Sequence, residues 1–187
     1  MTRGGDAAAR RMVGPIIGVV FGLVFVLVNS GPLPSPWPIV LRVAGVVVAI
    51  LLAVKIVGVL RRPGGGAEQE PNRFDRNYRL IVAAEVVGLF GGLAIINGVL
   101  GAGEFGIAWI AVVVGVHFFG LGAIWRSVPL HVLAATLTAL GILGAVLGLL
   151  TGSAAVIAGV AGVGSGAALF TAIALALRYE QHLAARP

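Results

Sequence analysis

Cysteine is absent from the 187 residues, which excludes disulfides, thiolate metal sites and cysteine nucleophiles and leaves the redox compartment undetermined. Charge is scarce. Only 11% of the residues are Asp, Glu, Lys or Arg, against roughly 25% in soluble domains. In their place stand 59% hydrophobic residues and 29 glycines, with a mean hydropathy of +1.06. A soluble globular domain is excluded, because a chain of this length has too little interior to hide so much apolar surface from water. The bilayer must be its solvent.

A hydrocarbon core of about 30 Å takes about 20 apolar residues of helix to cross. Apolar runs of that length, bounded by charges, prolines or short polar breaks, occur at approximately Met12–Asn29, Ile39–Leu60, Leu80–Leu100, Phe105–Trp125, Val128–Leu150 and Ser153–Leu177. These runs are apolar all round rather than alternating, which argues against a membrane β-barrel. The expected fold is all-α, a polytopic membrane bundle of six transmembrane helices that occupies residues 1–187 as a single integral membrane domain.

The cations fall on one side of these runs. Arg3, Arg10 and Arg11 precede the first; Arg61, Arg62, Arg73, Arg76 and Arg79 fill the second connection; Arg126 lies in the fourth, and Arg178 and Arg186 close the chain. The opposite connections, Ser30–Pro38, Gly101–Glu104 and Thr151–Gly152, hold no Lys or Arg. Under the positive-inside rule both termini are therefore cytoplasmic. The spans then form three αα-hairpins of similar length that leave the membrane at Arg61, Arg126 and Arg178, without a residue-level repeat. The Pro- and Gly-containing stretch 61–79 reads as a flexible cytoplasmic loop. Its positive balance and the basic N-terminus account for the formal charge of +6 through membrane lipids with anionic headgroups. No nucleic acid partner is implied, since no folded basic surface is present. Arg10–Arg11, the first run and Val28-Asn29-Ser30 have the outline of a cleavable signal peptide. The run is long for that role, and the first span is expected to be retained. Arg in preference to Lys, with abundant Ala, Gly and Val, suits a GC-rich bacterial genome, and the expected location is the bacterial cytoplasmic (inner) membrane.

Helices in lipid associate through close packing of small residues. Such residues recur every fourth position at Gly14, Gly18 and Gly22, at Ala84, Gly88 and Gly92, at Gly144 and Gly148, and at Ala158, Gly162 and Gly166. Reading Gly162-Val163-Gly164-Ser165-Gly166 as a nucleotide loop would need a preceding strand and surrounding water. Trp37, Phe105, Trp125 and Tyr179 fall at span ends, where amphipathic rings anchor to the headgroup region.

Ionisable residues at membrane depth cost at least ~2.5–3.5 kcal/mol each and are functional candidates. Here they are Arg42, Lys55, Glu85 and His117. Arg42 is close enough to Trp37 to snorkel to the outer headgroups. Lys55 and Glu85 each lie six residues from an arginine that marks a span end, roughly 9 Å deep at about 1.5 Å per residue. The matched depths allow an ion pair between the second and third spans; alternatively Lys55 snorkels and leaves Glu85 protonated. Glu85 shares a helix face with Gly92, and His117 with Gly106 and Gly120, so both should point into the bundle. Glu85 and His117, about one turn apart in depth, could form a short titratable relay, directly or through water. The simpler alternative is a histidine bonded to a neighbouring carbonyl or hydroxyl. Asn29 and Asn97 lie near the outer face, as an entrance or as helix caps.

No cofactor is implied. A haem would usually need two ligands at depth, and His131 and His182 sit at or beyond the surface. A His-Glu-x-x-His zinc motif is absent. Ser165 and His117 stand in the reverse order from rhomboid intramembrane serine proteases, and Val163 occupies the first position of their Gly-x-Ser-Gly motif, so an enzyme is not expected. The string Val116-His117-Phe118-Phe119-Gly120-Leu121-Gly122, followed by a short arginine loop and a span beginning near His131, resembles a pattern in small bacterial integral membrane proteins without an established activity. The resemblance covers about the last half of the chain and implies six spans, with no substrate. The leading expectation is a structural, stress-related or partner-binding membrane bundle; the alternative is a proton-linked transporter or channel using Glu85 and His117, and an intramembrane hydrolase ranks third. A homo-oligomer or a complex with another membrane protein is compatible with the small-residue stripes.

Overall fold

The computed structural model describes residues 3–61 and 76–184. Most of the expected 61–79 loop, with Arg62 and Arg73, lies outside the described residues, as does Arg186. Helix α1 runs Arg3–Asn29, α2 Trp37–Leu60, α3 Arg76–Ala94, α4 Gly106–Ile124, α5 Val128–Thr151, α6 Ala154–Ile157 and α7 Gly164–Ala184. A π-helical turn at Ile95–Val99 extends α3, and another at Ala158–Val163 joins α6 to α7 into one continuous span. Among the described residues there is no strand, as expected where each backbone polar group must find its partner within its own segment. Six helices are long and apolar enough to cross a membrane: Met12–Asn29, Trp37–Leu60, Arg76–Val99, Gly103–Ile124, Val128–Thr151 and Ala154–His182.

The helix ends follow local chemistry. A proline in the first turn of α2 and of α5 sits where its missing N–H costs nothing. Gly152 (φ 62°) ends α5 in the left-handed conformation, and Ser153 then caps α6 by accepting from the Val156 N–H at 3.4 Å. At the end of α4 it is Arg126 that turns left-handed (φ 48°), while the Ser127 N–H donates back to the Gly122 carbonyl at 2.9 Å. Glycine would adopt that conformation without strain.

The helices pack in the order α2, α1, α7, α5, α4, α3. One apolar core joins Val19 and Val26 of α1 to Leu52 and Ile56 of α2 and Phe170, Ile173 and Leu177 of α7. A second joins Ala108, Ala111 and Val114 of α4 to Leu133 and Leu137 of α5, with Ile157, Ala161 and Leu169 from the last span. The most extensive contact is α4 on α5. There a Cβ added to Gly115 would lie 2.7 Å from the Thr138 nitrogen and 2.9 Å from the Ala134 carbonyl oxygen, and one added to Gly141 would lie 2.7 Å from the Ala108 carbonyl oxygen. Glycine is what brings these backbones together. The expected stripes are used at Gly18 and Gly22 against Ile173 and Phe170, and at Gly144 and Gly148 against Ala161 and Ile157, whereas Gly14 and Gly88 face open space. Phe105 packs partly buried against the second core.

Helix α3 differs from the rest. Among the described residues its only extensive contact with another helix is with α4, and none of its residues is buried.

Candidate functional site at the α3–α4 edge

Small residues and one tryptophan set the α3–α4 contact. Trp109 lies across Gly92, where a Cβ would collide with its ring, and its indole N–H donates to the Gly88 carbonyl at 3.1 Å. Gly120 receives Ile81, and Gly106 receives Leu93. At the arginine-bearing end the rings of Tyr78 and Trp125 stack with centroids 6.3 Å apart. Trp109 was not legible as a site residue; its signal is a long aromatic facing two glycines spaced one turn apart, with a carbonyl exposed between them.

This contact presents Glu85 and His117 to each other. Glu85 Oε2 lies 3.1 Å from His117 Nδ1. That is ion-pair distance, yet the approach falls outside hydrogen-bond geometry, and Nδ1 is buried without a hydrogen-bond partner. The imidazole also meets the Phe118 ring edge-on at 5.6 Å. The carboxylate is the more accessible member, with its side chain 22% exposed against 12% for the histidine. Both open into a cleft of about 410 Å3 otherwise lined by Ile81, Ala84, Val113, Val116, Phe119 and Gly120. Among the described residues no group of three or more His, Cys, Asp or Glu is placed to hold a metal ion.

The other candidates lie elsewhere. Lys55 is exposed on α2, at the opposite edge of the helix order from α3, so the expected Lys55–Glu85 pair does not form. Equal depth is not adjacency, and α2 packs on α1 and α7 instead. Arg42, expected to snorkel to headgroups, reaches the C-terminal end of α1, where its Nε donates to the Leu27 carbonyl at 3.3 Å and the Ser30 hydroxyl at 3.0 Å. Asn29 is buried, donates to the Phe25 carbonyl at 2.8 Å and lies against Gly162. Asn97 is exposed in the turn after α3 and donates to the Leu93 carbonyl at 2.8 Å. The two asparagines sit on helices without extensive contact, so they do not frame one entrance. Ser165 is fully buried and its hydroxyl has no hydrogen-bond partner, so it forms no dyad with His117.

What this arrangement can do chemically is hold one carboxylate beside one imidazole in an apolar cleft between α3 and α4. The chain matches no protein-family model, no curated protein and no solved structure.

Proposed function

We propose that this protein is a partner-binding membrane bundle that receives its partner or ligand at the α3–α4 edge, and that it has no catalytic role of its own. The observation that carries the reading is the isolation of α3. Among the described residues its only extensive contact with another helix is with α4, and none of its residues is buried, yet it bears the carboxylate that faces the cleft. Lipid offers a poor environment for such a group, and a bound partner would complete it. In this reading the spans are three αα-hairpins with both termini in the cytoplasm of a bacterial cell, kin to the small six-span proteins that its His-Phe string resembles. The positive ends of the helices then meet anionic headgroups.

The test is a benzophenone amino acid placed at Val116, which lines the cleft and is 57% exposed, and irradiated in native membranes. A discrete adduct absent from a control at Leu149, 73% exposed on α5, is the expected result. No adduct, or the same adducts from both positions, overturns the reading.

A second reading, a proton-linked transporter or channel, is favoured by the 3.1 Å approach of Glu85 to His117. It lacks a polar route among the described residues, because Asn29 and Asn97 bond to their own helices on separate sides of the bundle. Proton flux into proteoliposomes that Glu85→Gln abolishes would establish it; equal flux from the wild type and the variant would remove it.

A further inference from the structure

We infer that the α3–α4 cleft binds a small hydrophobic amine in its protonated form, an ammonium group against Glu85 and an apolar body along α4. The inference rests on the reading of this edge as the binding edge and names the class of ligand it takes.

Charge is the first argument. Glu85 is the only acidic residue in the apolar part of the spans, and the sole lysine of the chain, Lys55, is exposed on the far edge. Among the described residues no arginine pairs with it; its charged neighbour is His117, which is cationic only when protonated. The two groups stand 3.1 Å apart without a hydrogen bond between them, so the carboxylate keeps unused acceptor capacity. An ammonium group supplies both the missing positive charge and N–H donors, and in an apolar setting such charge-assisted bonds are the strong ones. An anion would be repelled, and a neutral apolar molecule would leave the carboxylate unsatisfied.

Shape is the second argument. The cleft holds about 410 Å3, within the range of small-molecule sites, which are mostly apolar with a few placed polar groups. Glu85 and His117 are those groups here; Ile81, Val116 and Phe119 supply apolar wall. Phe119 also brings an aromatic ring to the wall of the same cleft. His117, the more buried of the two, lies beside the more exposed carboxylate.

The probe is tritiated aminoadamantane, with adamantanol as an uncharged molecule of the same shape, titrated against the whole protein in lipid nanodiscs and corrected for empty discs. The wild type should bind the amine saturably and in preference to the alcohol. Glu85→Gln, nearly isosteric, should weaken amine binding by about tenfold or more and leave the alcohol unchanged. Ala84→Phe, which fills the cleft and keeps the charge, should also abolish binding. Thermal melting of each variant shows whether it is folded; should Glu85→Gln fail to fold, Ala84→Phe decides alone. Equal binding of amine and alcohol, or binding untouched by both substitutions, overturns the inference. A persistent Val116 adduct in native membranes alongside such a failure would leave this edge as a binding edge for a different ligand; loss of both would remove the edge itself.

Discussion

Two glycines show what position does to an identical residue. A methyl group on Gly88 would meet nothing within 4 Å, whereas one on Gly115 would be driven into Thr138 and the Ala134 carbonyl. Gly88→Ala should therefore leave the melting temperature in mild detergent unchanged or slightly raised, alanine being the better helix former. Gly115→Ala forces backbone atoms of α4 and α5 apart and should cost about 1–3 kcal/mol, the range for overpacking a close contact. Equal melting of the two variants would mean that the α4–α5 seam is not as tight as described. The Gly88 role as a packing surface was expected from its place in a four-residue stripe, yet Gly115 carries the contact. Its signal was Ala108, Ala111, Gly115 and Gly122, all buried, at steps of three, four and seven that mark one helix face. Glycine every fourth position is a narrower pattern than small residues along a face, and only the broader one finds this seam.

Each helix could be read from its apolar run, because crossing lipid imposes length and backbone self-sufficiency on the segment alone. Which helices touch is a property of pairs. Lys55 and Glu85 match in depth, but depth is one coordinate, and the direction of each side chain and the identity of the neighbouring helix are others. For Glu85 and His117 the helix faces were informative, since Gly92 and Gly120 on those faces do receive the opposing helix. The absence of native cysteine allows the pairing to be tested directly. Both γ carbons of Ile81 lie 3.3 Å from where a Cβ on residue 120 would sit, close to the reach of a disulfide. The double variant Ile81→Cys, Gly120→Cys should form an intramolecular disulfide under mild oxidation, seen as a mobility shift reversed by reductant. Lys55→Cys with Glu85→Cys should not. A disulfide in the second variant and none in the first would put α3 beside α2 and dismantle the site.

Across the whole molecule the helix order leaves α2 and α3, consecutive in the chain, at opposite edges, with the last span packed between α1 and α5. The span from Ala154 can fill that place because it is lined with small residues: Gly162 admits Asn29 of α1, and Ala161 sits against Gly144 of α5. An edge helix has a lipid-facing side by construction, so the exposure of α3 alone is unremarkable; what distinguishes it from α2 is the carboxylate opening into a cleft rather than a lysine with a long stem. The orientation of the bundle bears on this, since Glu85 lies nearer the end of α3 that carries Arg76 and Arg79. If arginine asymmetry sets topology, a ligand reaching Glu85 from the membrane is closer to the cytoplasmic leaflet. Ser35 and Arg61 are both exposed, before and after α2. A membrane-impermeant maleimide should label Ser35→Cys in spheroplasts and Arg61→Cys only in inverted vesicles. The opposite pattern would turn the bundle over and place the carboxylate nearer the outer leaflet, while labelling of both from one side would mean that α2 does not cross the membrane.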